Sequence, residues 1–203
     1  MPEKLRWADL KKVLSRRKLW GIYLGQSAVN STLWFFLTWF PSYLVDYRHL
    51  NFIKAGFLAA LPFLAAFGGV LCSGFLSDHL MKRGFSATTA RKVPVISGLL
   101  LCTSIVGANY VQSPALIILF LTIAGFGNGF SSIAWVFVSA LAPKRLLGLT
   151  GGVFNFFGNL SSIIVPLVIG LLVRGENFAP ALVFVAALAL MGVLSYVFLV
   201  GRV

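Results

Sequence analysis

The feature that most constrains the fold of this chain is a long stretch without any charged residue. No Asp, Glu, Lys or Arg occurs between Lys92 and Lys144, and most residues between them are apolar. A helix needs about 20 apolar residues to cross the hydrocarbon core of a bilayer, so a stretch of this length must cross twice. The turn-like residues at 109–114 separate the two crossings.

Composition extends this conclusion to the whole chain. Hydrophobic residues make up 59% of the 203 residues and charged residues 11%, with a mean hydropathy of +0.92, whereas soluble domains are only about 45–50% apolar. The sequence therefore predicts an all-α integral membrane protein. Its apolar runs predict six transmembrane helices, at 19–45, 55–77, 93–111, 114–142, 146–173 and 177–201.

A net charge of +12 would suggest nucleic-acid binding in a soluble protein. Here the cations are concentrated in a few loops, so the charge indicates the orientation of the chain in the membrane. Residues 1–18 are basic, and Trp7, Leu10, Val13 and Leu14 recur at helical spacing, which predicts an amphipathic helix on the membrane surface. Fourteen cations are predicted on one side of the membrane: those of residues 1–18, of the loops at 78–92 and 142–146, and Arg202. The other side holds three, namely Arg48, Lys54 and Arg174. Because cations accumulate on the cytoplasmic side, both termini are predicted to be cytoplasmic.

A compact cluster of charge separates the second and third spans. Its residues are Gly74, Asp78, Lys82, Arg83 and Gly84, followed by Arg91. A carboxylate here can cap a helix or pair with cations of neighbouring helices, and such pairing would hold the cytoplasmic side closed in one state. We predict a short loop with a gating role; a purely structural cap is the alternative.

Polar residues in three of the spans fall on single helical faces. They are Gln26, Asn30, Trp34 and Thr38 in the first span, Asn128, Ser132, Trp135 and Ser139 in the fourth, and Gly148, Gly152, Asn155, Asn159 and Ser162 in the fifth. Polar groups are costly inside a membrane, while amides and an indole suit a ligand that has hydroxyls and an apolar face. A central cavity is predicted, with Gln26, Asn30, Ser132, Trp135, Asn155 and Asn159 as substrate-binding residues. Packing between helices is the alternative.

These motifs resemble the major facilitator superfamily of secondary transporters. The pattern at 74–84 is similar to its cytoplasmic loop signature. The residues at 25–27, 39–44, 131–135 and 151–155 resemble the carboxyl-terminal six-helix half, a 3+3 inverted repeat, of an anion:cation symporter. Within that family the likeness is to bacterial sugar-acid transporters for galactonate, glucarate and hexuronates.

The resemblance implies a proton-coupled symporter of the bacterial inner membrane that works by alternating access on an organic anion. It implies that Gln26 and Asn155 bond to sugar hydroxyls, that Ser132 meets a hydroxyl or carboxylate, and that Trp135 covers one face of the substrate. Ala134 stands where the galactonate type is expected to have Thr, so the exact sugar is left open.

The positions of the acidic residues predict that this chain works with a partner. Glu3, Asp9, Asp46, Asp78 and Glu176 all lie outside the spans or at their ends, whereas proton coupling needs a titratable carboxylate within the membrane. The resemblance implies that this acid, and an Arg for the substrate carboxylate, belong to an amino-terminal six-helix half. No cofactor is expected besides the coupling proton.

Other functional classes fit less well. An intramembrane serine protease needs a His within the membrane, but His49 and His79 fall in predicted loops. Neither paired Asn-Pro-Ala boxes nor a Gly-x-x-x-x-Gly-Lys motif occurs, and Cys72 and Cys102 lie inside apolar runs. We predict that the chain is not an enzyme. A self-assembling half-transporter or a non-transporting membrane scaffold is the alternative.

Overall fold

The computed structural model describes residues 6–173 and 177–201, and their regular structure is helical. The helices are α1 (Trp7–Leu14), α2 (Arg17–Thr38), α3 (Phe52–Lys82), α4 (Ala87–Cys102), α5 (Pro114–Phe130), α6 (Val136–Leu141), α7 (Leu147–Leu172) and α8 (Ala179–Phe198). The first span continues beyond α2 through a turn at Phe40–Ser42 and a π-helical turn at Tyr43–Tyr47. Short 3₁₀ segments follow at Thr103–Asn109, Ser131–Trp135 and Lys144–Leu146.

Five segments of the described residues are both long and apolar enough to cross a membrane. They are Phe52–Lys82, Ala87–Asn109, Pro114–Leu141, Lys144–Leu172 and Ala179–Phe198. They correspond to the second to sixth predicted spans. With 22 residues, α2 is long enough as well, but its polar stripe makes it less apolar. It packs between α7 and α8, and its crossing of the membrane stays a prediction.

The charged segment predicted as a loop between the second and third spans is mostly helical, and that prediction is wrong. The α3 helix continues through Gly74 and Asp78 to its end at Lys82, and residues 83–86 connect it to α4. The end of an apolar run does not end a helix, because the backbone hydrogen bonds continue into water until a breaker occurs. Here the breaker is Gly84, whose φ of +85° is in the left-handed region that glycine adopts readily.

The helices form two equivalent sets of three. The first set is α2, α3 and α4, and the second is the fourth span (α5 to α6), α7 and α8. The α2 helix packs against α7 and α8, while α5 packs against α3 and α4. In each set the first helix therefore packs against the second and third helices of the other set, which is the pattern of an inverted 3+3 repeat. The third members, α4 and α8, pack against each other.

The amphipathic helix predicted in residues 1–18 is present as α1. It is attached to the bundle by Val13, which is fully buried in an apolar cluster with Leu19 and Leu146, while Trp7 is exposed. The carboxylate of Asp9 accepts a hydrogen bond from the backbone N–H of Arg6 and pairs with Arg145 at 3.4 Å. This contact ties α1 to the connection between the fourth and fifth spans.

Candidate functional site

A cleft of about 280 Å³ lies between α2, α3 and the fourth span. Its lining residues are Gln26, Val29, Asn30 and Leu33 of α2, Ala66, Phe67 and Val70 of α3, and Asn128, Gly129, Ser132 and Trp135 of the fourth span. Four of the six predicted substrate-binding residues therefore come together here: Gln26, Asn30, Ser132 and Trp135.

The cleft lies at a polar level between two apolar cores. One buried cluster includes Phe35, Leu121 and Val185, and the other includes Tyr23, Phe137 and Tyr196. On α2, Asn30 lies between the last member of one cluster and the first of the other, and on the fourth span Asn128 and Ser132 do the same. The polar level is thus near the middle of the bundle.

Two amides of α2 form the centre of the cleft. Nε2 of Gln26 donates a hydrogen bond to Oδ1 of Asn30 at 3.2 Å, one helical turn away, and Gln26 is only 8% exposed. On α7, Gly158 leaves room for this pair, since a Cβ there would lie 2.8 Å from Cγ of Gln26 and 3.0 Å from Nδ2 of Asn30. The carbonyl oxygen of Gln26 and the amino group of Asn30 remain to bind a hydroxyl.

Asn128 is a cleft residue that was not among the six predicted ones. Its Nδ2 donates a hydrogen bond of 2.6 Å to the backbone carbonyl of Val29, which joins the fourth span to α2. Asn128 lies four residues before Ser132 on the polar stripe of that span, so the sequence contained the signal. Its Oδ1 is left as an acceptor beside the cleft.

The fourth span changes its winding where it lines the cleft. The hydroxyl of Ser131 donates to the backbone carbonyl of Gly127 at 2.9 Å and to that of Val95 at 3.3 Å. A 3₁₀ segment, Ser131–Trp135, begins at this residue. With three residues per turn, Ser132 and Trp135 lie on the same side. Trp135 packs edge to face on Phe154, with centroids 4.8 Å apart, and is 46% exposed.

The two predicted residues of α7, Asn155 and Asn159, do not line this cleft in the described part of the chain. Both are exposed, and Nδ2 of Asn159 donates to the backbone carbonyl of Asn155 at 3.0 Å. Gly158, between them, is the residue of α7 that faces Gln26. Two of the three polar stripes converge, and the role of the third stays a prediction.

Comparison with known proteins decides the family. The family model of the Major Facilitator Superfamily matches residues 2–166. This chain belongs to the Major Facilitator Superfamily. The resemblance drawn from the motifs is confirmed.

Relatives within this superfamily are sugar-acid transporters by name. The chain is 58% identical over 192 residues to the D-galactonate transporter of Escherichia coli O6:H1, covering 95% of this chain and 45% of that protein. It is 45% identical over 195 residues to the probable galactarate/D-glucarate transporter GarP of Escherichia coli K12, covering 96% and 44%. It is 30% identical over 181 residues to the hexuronate transporter of Bacillus subtilis, covering 84% and 42%. The chain spans about half the length of the curated relatives it matches.

The residues of the superfamily's loop signature lie at one end of the bundle, around the end of α3. Asp78, Lys82, Arg83 and Gly84 are exposed, and Gly74 has open space around its Cα. Arg91 is half-buried on α4. In the part of the chain that the structure describes, Asp78 has no ion pair with any cation. Its predicted pairing with cations of neighbouring helices stays a prediction.

The helices of the bundle differ in the fraction of their residues that is buried. In the most apolar part of each span, 17% of the residues of α3 and 22% of those of the fifth span are buried, against 56% for the fourth span. The two least buried helices are the equivalent members of the two sets of three. They present wide apolar faces, with Phe57, Leu64 and Phe67 exposed on α3 and Phe156 and Leu167 on α7.

Proposed function

We propose that this chain is the carboxyl-terminal six-helix half of a proton-coupled transporter that moves sugar acids across the bacterial inner membrane by alternating access. The proposal takes hexonates, hexarates and hexuronates as its substrate class. The support from relatives is that the proteins matched at 58%, 45% and 30% identity are transporters for D-galactonate, galactarate/D-glucarate and hexuronate by name.

The observation that carries the proposal is the chemistry of the cleft. Its polar side chains are two Asn, one Gln and one Ser, next to an indole, and no charged side chain is among its described lining residues. Amides and a hydroxyl donate and accept, as a row of sugar hydroxyls requires, and the indole matches the C–H face. Such a wall recognises the hydroxylated part of the substrate and leaves the carboxylate to be met elsewhere.

The rest of the site is assigned to a second six-helix half. Ligand sites usually enclose about 300–1,000 Å³, and the cleft of about 280 Å³ forms one open wall of such a site. The exposed apolar faces of α3 and α7 would be covered by the partner half. Among the described acids, Asp9, Asp46 and Asp78 do not line the cleft, and Glu3 and Glu176 lie outside the described residues. We assign the coupling carboxylate to the partner half.

The test of this function joins the chain to the part of the Escherichia coli D-galactonate transporter that it does not match. Equilibrium binding of D-galactonate, D-glucarate and D-glucuronate is measured on the purified fusion. Gln26→Ala should weaken binding about tenfold, because it removes one ligand contact and leaves Oδ1 of Asn30 unpaired, which costs about 1–3 kcal/mol. Asn155→Ala should have a similar effect in the completed site.

The matched control is Ser97→Ala on α4, since its hydroxyl donates to the backbone carbonyl of Val93 and it does not line the cleft. Its affinity should equal that of the unchanged fusion. If Gln26→Ala and Asn155→Ala both bind with full affinity, the polar stripes of α2 and α7 serve helix packing and not substrate binding. Uptake of sugar acids by the chain alone would favour self-assembly instead of a partner half.

A gating role is proposed for Asp78. Asp78→Asn in the same fusion should slow transport at least several-fold while binding changes little, because the lost pairing belongs to one conformation and not to the site. Lys54→Gln, a cation at the opposite end of α3, should transport normally. A normal transport rate in Asp78→Asn would leave the carboxylate with a capping role only.

Both termini are proposed to lie in the cytoplasm, on the basis of fourteen cations on one side against three on the other. In intact cells, Lys54→Cys should react with a thiol reagent that does not cross membranes, whereas Ser86→Cys should react only after lysis. The opposite labelling pattern would reverse the topology.

A further inference from the structure

A second, smaller pocket lies at the other end of the first span from α1. It has a volume of about 160 Å³ and is lined by the side chains of Tyr43, Tyr47, Arg48, Asn109 and Asn177, together with the start of α8. Tyr43 follows Gln26 by more than four helical turns, roughly 25 Å at 1.5 Å per residue. The pocket is therefore separate from the cleft, and the function proposed for the cleft does not use it.

The guanidinium of Arg48 is fixed in this pocket by neutral groups. Its Nε donates to the hydroxyl of Tyr43 at 2.9 Å, its Nη2 donates to the backbone carbonyl of Ala108 at 2.7 Å, and its Cζ lies 5.2 Å from the centroid of the Tyr43 ring. Arg48 is half-buried, and within residues 6–173 and 177–201 it has no carboxylate partner. A half-buried guanidinium that bonds only to neutral groups can still pair with an anion that enters the pocket.

Of the other groups of the pocket, Asn177 and the start of α8 favour the same kind of ligand, whereas Asn109 donates through Nδ2 to the backbone carbonyl of Ala179 at 3.2 Å and keeps Oδ1 as an acceptor. Two of the five N–H groups of a guanidinium are used by Tyr43 and Ala108, which leaves three. Oδ1 of Asn177 accepts from the backbone N–H of Ala179 at 3.1 Å, so its amino group remains as a donor. The positive end of the α8 dipole lies at the same place. Donors and positive potential thus converge on a small volume.

We propose that this pocket binds a small carboxylate anion. The planar guanidinium matches the two oxygens of a carboxylate in geometry, and its two existing hydrogen bonds fix its orientation before the ligand arrives. The inference concerns the described chain alone and does not rest on the substrate or on the partner half proposed above.

The test measures the thermal unfolding midpoint of the full chain in detergent, with sodium acetate against sodium chloride at equal ionic strength. An anion that binds the folded state raises the midpoint. At an acetate concentration about fivefold above its dissociation constant, we expect a rise of roughly 2–4 °C. D-galactonate should give a similar rise if the carboxylate is the recognised group. No rise beyond that in chloride, or a rise with sulfate alone, would overturn the proposal.

Asn177→Asp is the decisive variant. It keeps the oxygen that accepts from the N–H of Ala179 and places a fixed carboxylate beside Arg48. Its midpoint without acetate should be raised, and acetate should have no further effect. Arg48→Gln should also lose the acetate effect, whereas Lys54→Gln, which removes an exposed cation outside this pocket, should keep it. An undiminished acetate effect in Asn177→Asp would refute the assignment.

One further variant separates an added anion from a group of the chain itself. Glu176 precedes Asn177 in the sequence. If Glu176→Gln and the unchanged chain respond equally to acetate, the pocket takes its anion from solution, as proposed. If acetate stabilises only Glu176→Gln, the chain supplies its own carboxylate and the proposal fails.

Discussion

The α3 and α7 helices occupy equivalent positions in the two sets of three, yet different contacts hold them to their partners. Where α3 meets α5, backbones touch through glycines: a Cβ on Gly129 would overlap the carbonyl of Ala66, and one on Gly125 would lie 2.8 Å from Cα of Pro62. Where α7 meets α2, hydroxyls bridge the helices. Ser27 donates to the carbonyl of Phe157 at 2.8 Å, and Ser161 donates to that of Ser27 at 3.0 Å.

The two contacts differ in how they hold the helices and in which residues they place beside the cleft. Between helices in a membrane the hydrophobic effect contributes little, because lipid tails are as apolar as the side chains. Close packing and hydrogen bonds therefore hold the helices together. The glycine contact between α3 and α5 brings their backbones together, and its residues Ala66 and Gly129 line one side of the cleft. At the contact between α2 and α7, the amide pair of Gln26 and Asn30 packs beside Gly158.

The largest effect is expected when a methyl group is placed in the glycine contact. Gly129→Ala should lower the free energy of unfolding by about 3 kcal/mol, because the methyl meets a backbone carbonyl that cannot move aside. Denaturant titration in detergent measures it. Gly68→Ala on α3 is the control, since a Cβ there has no neighbour within 4 Å. Equal stabilities of the two variants would mean that α3 and α5 are not in backbone contact.

A smaller effect, on binding instead of folding, is expected at the α2–α7 contact. Gly158→Ala should displace Gln26 and Asn30 and weaken sugar-acid binding by the completed transporter about tenfold, which is about 1.4 kcal/mol. Gly152→Ala, on the same helix and with nothing within 4 Å of its Cβ, should bind normally. If both variants bind as tightly as the unchanged protein, Gly158 does not position the amide pair.

The smallest effects are expected for the hydroxyl bridges. Ser27→Ala and Ser161→Ala should each destabilise the folded chain by about 0.6 kcal/mol, the average measured for hydrogen bonds between membrane helices. The same denaturant titration measures them. A loss as large as that of Gly129→Ala would remove the distinction between the two contacts, and Ser97→Ala, whose hydroxyl bonds within its own helix, provides the baseline.

Much of the architecture could be predicted from the distribution of charge and apolar residues. Helices overlap the second to sixth predicted spans, with bounds that differ by up to six residues, and a helix and a turn occur near the predicted amphipathic segment and at 109–114. The stripe periodicity also predicted that Gln26, Asn30, Ser132 and Trp135 meet. The spacing of residues shows which face of a helix they lie on. Where two polar faces are directed at each other, this is sufficient to predict which residues meet.

The remaining features depend on contacts between helices, which periodicity does not contain. The start of the 3₁₀ segment at Ser131 involves a hydrogen bond to Val95 on another helix. The role of Gly158 depends on side chains of α2. Asn155 and Asn159 share a stripe, but no single helix reveals that Gly158 between them faces the cleft. The extension of α3 to Lys82 was missed because hydropathy marks the edge of the bilayer and not the end of a helix.

The 3₁₀ segment Ser131–Trp135 acts as a phase shift along the fourth span. Each 3₁₀ residue turns the chain by about 120°, against about 100° in an α-helix, so its five residues advance everything beyond them by about 100°. Ser139 shares a stripe with Asn128 only if the span is counted as one continuous α-helix. In the structure it is exposed and bonds to the carbonyl of Val136, away from the cleft. Five residues of tighter winding thus direct Asn128, Ser132 and Trp135 into the cleft and Ser139 away from it.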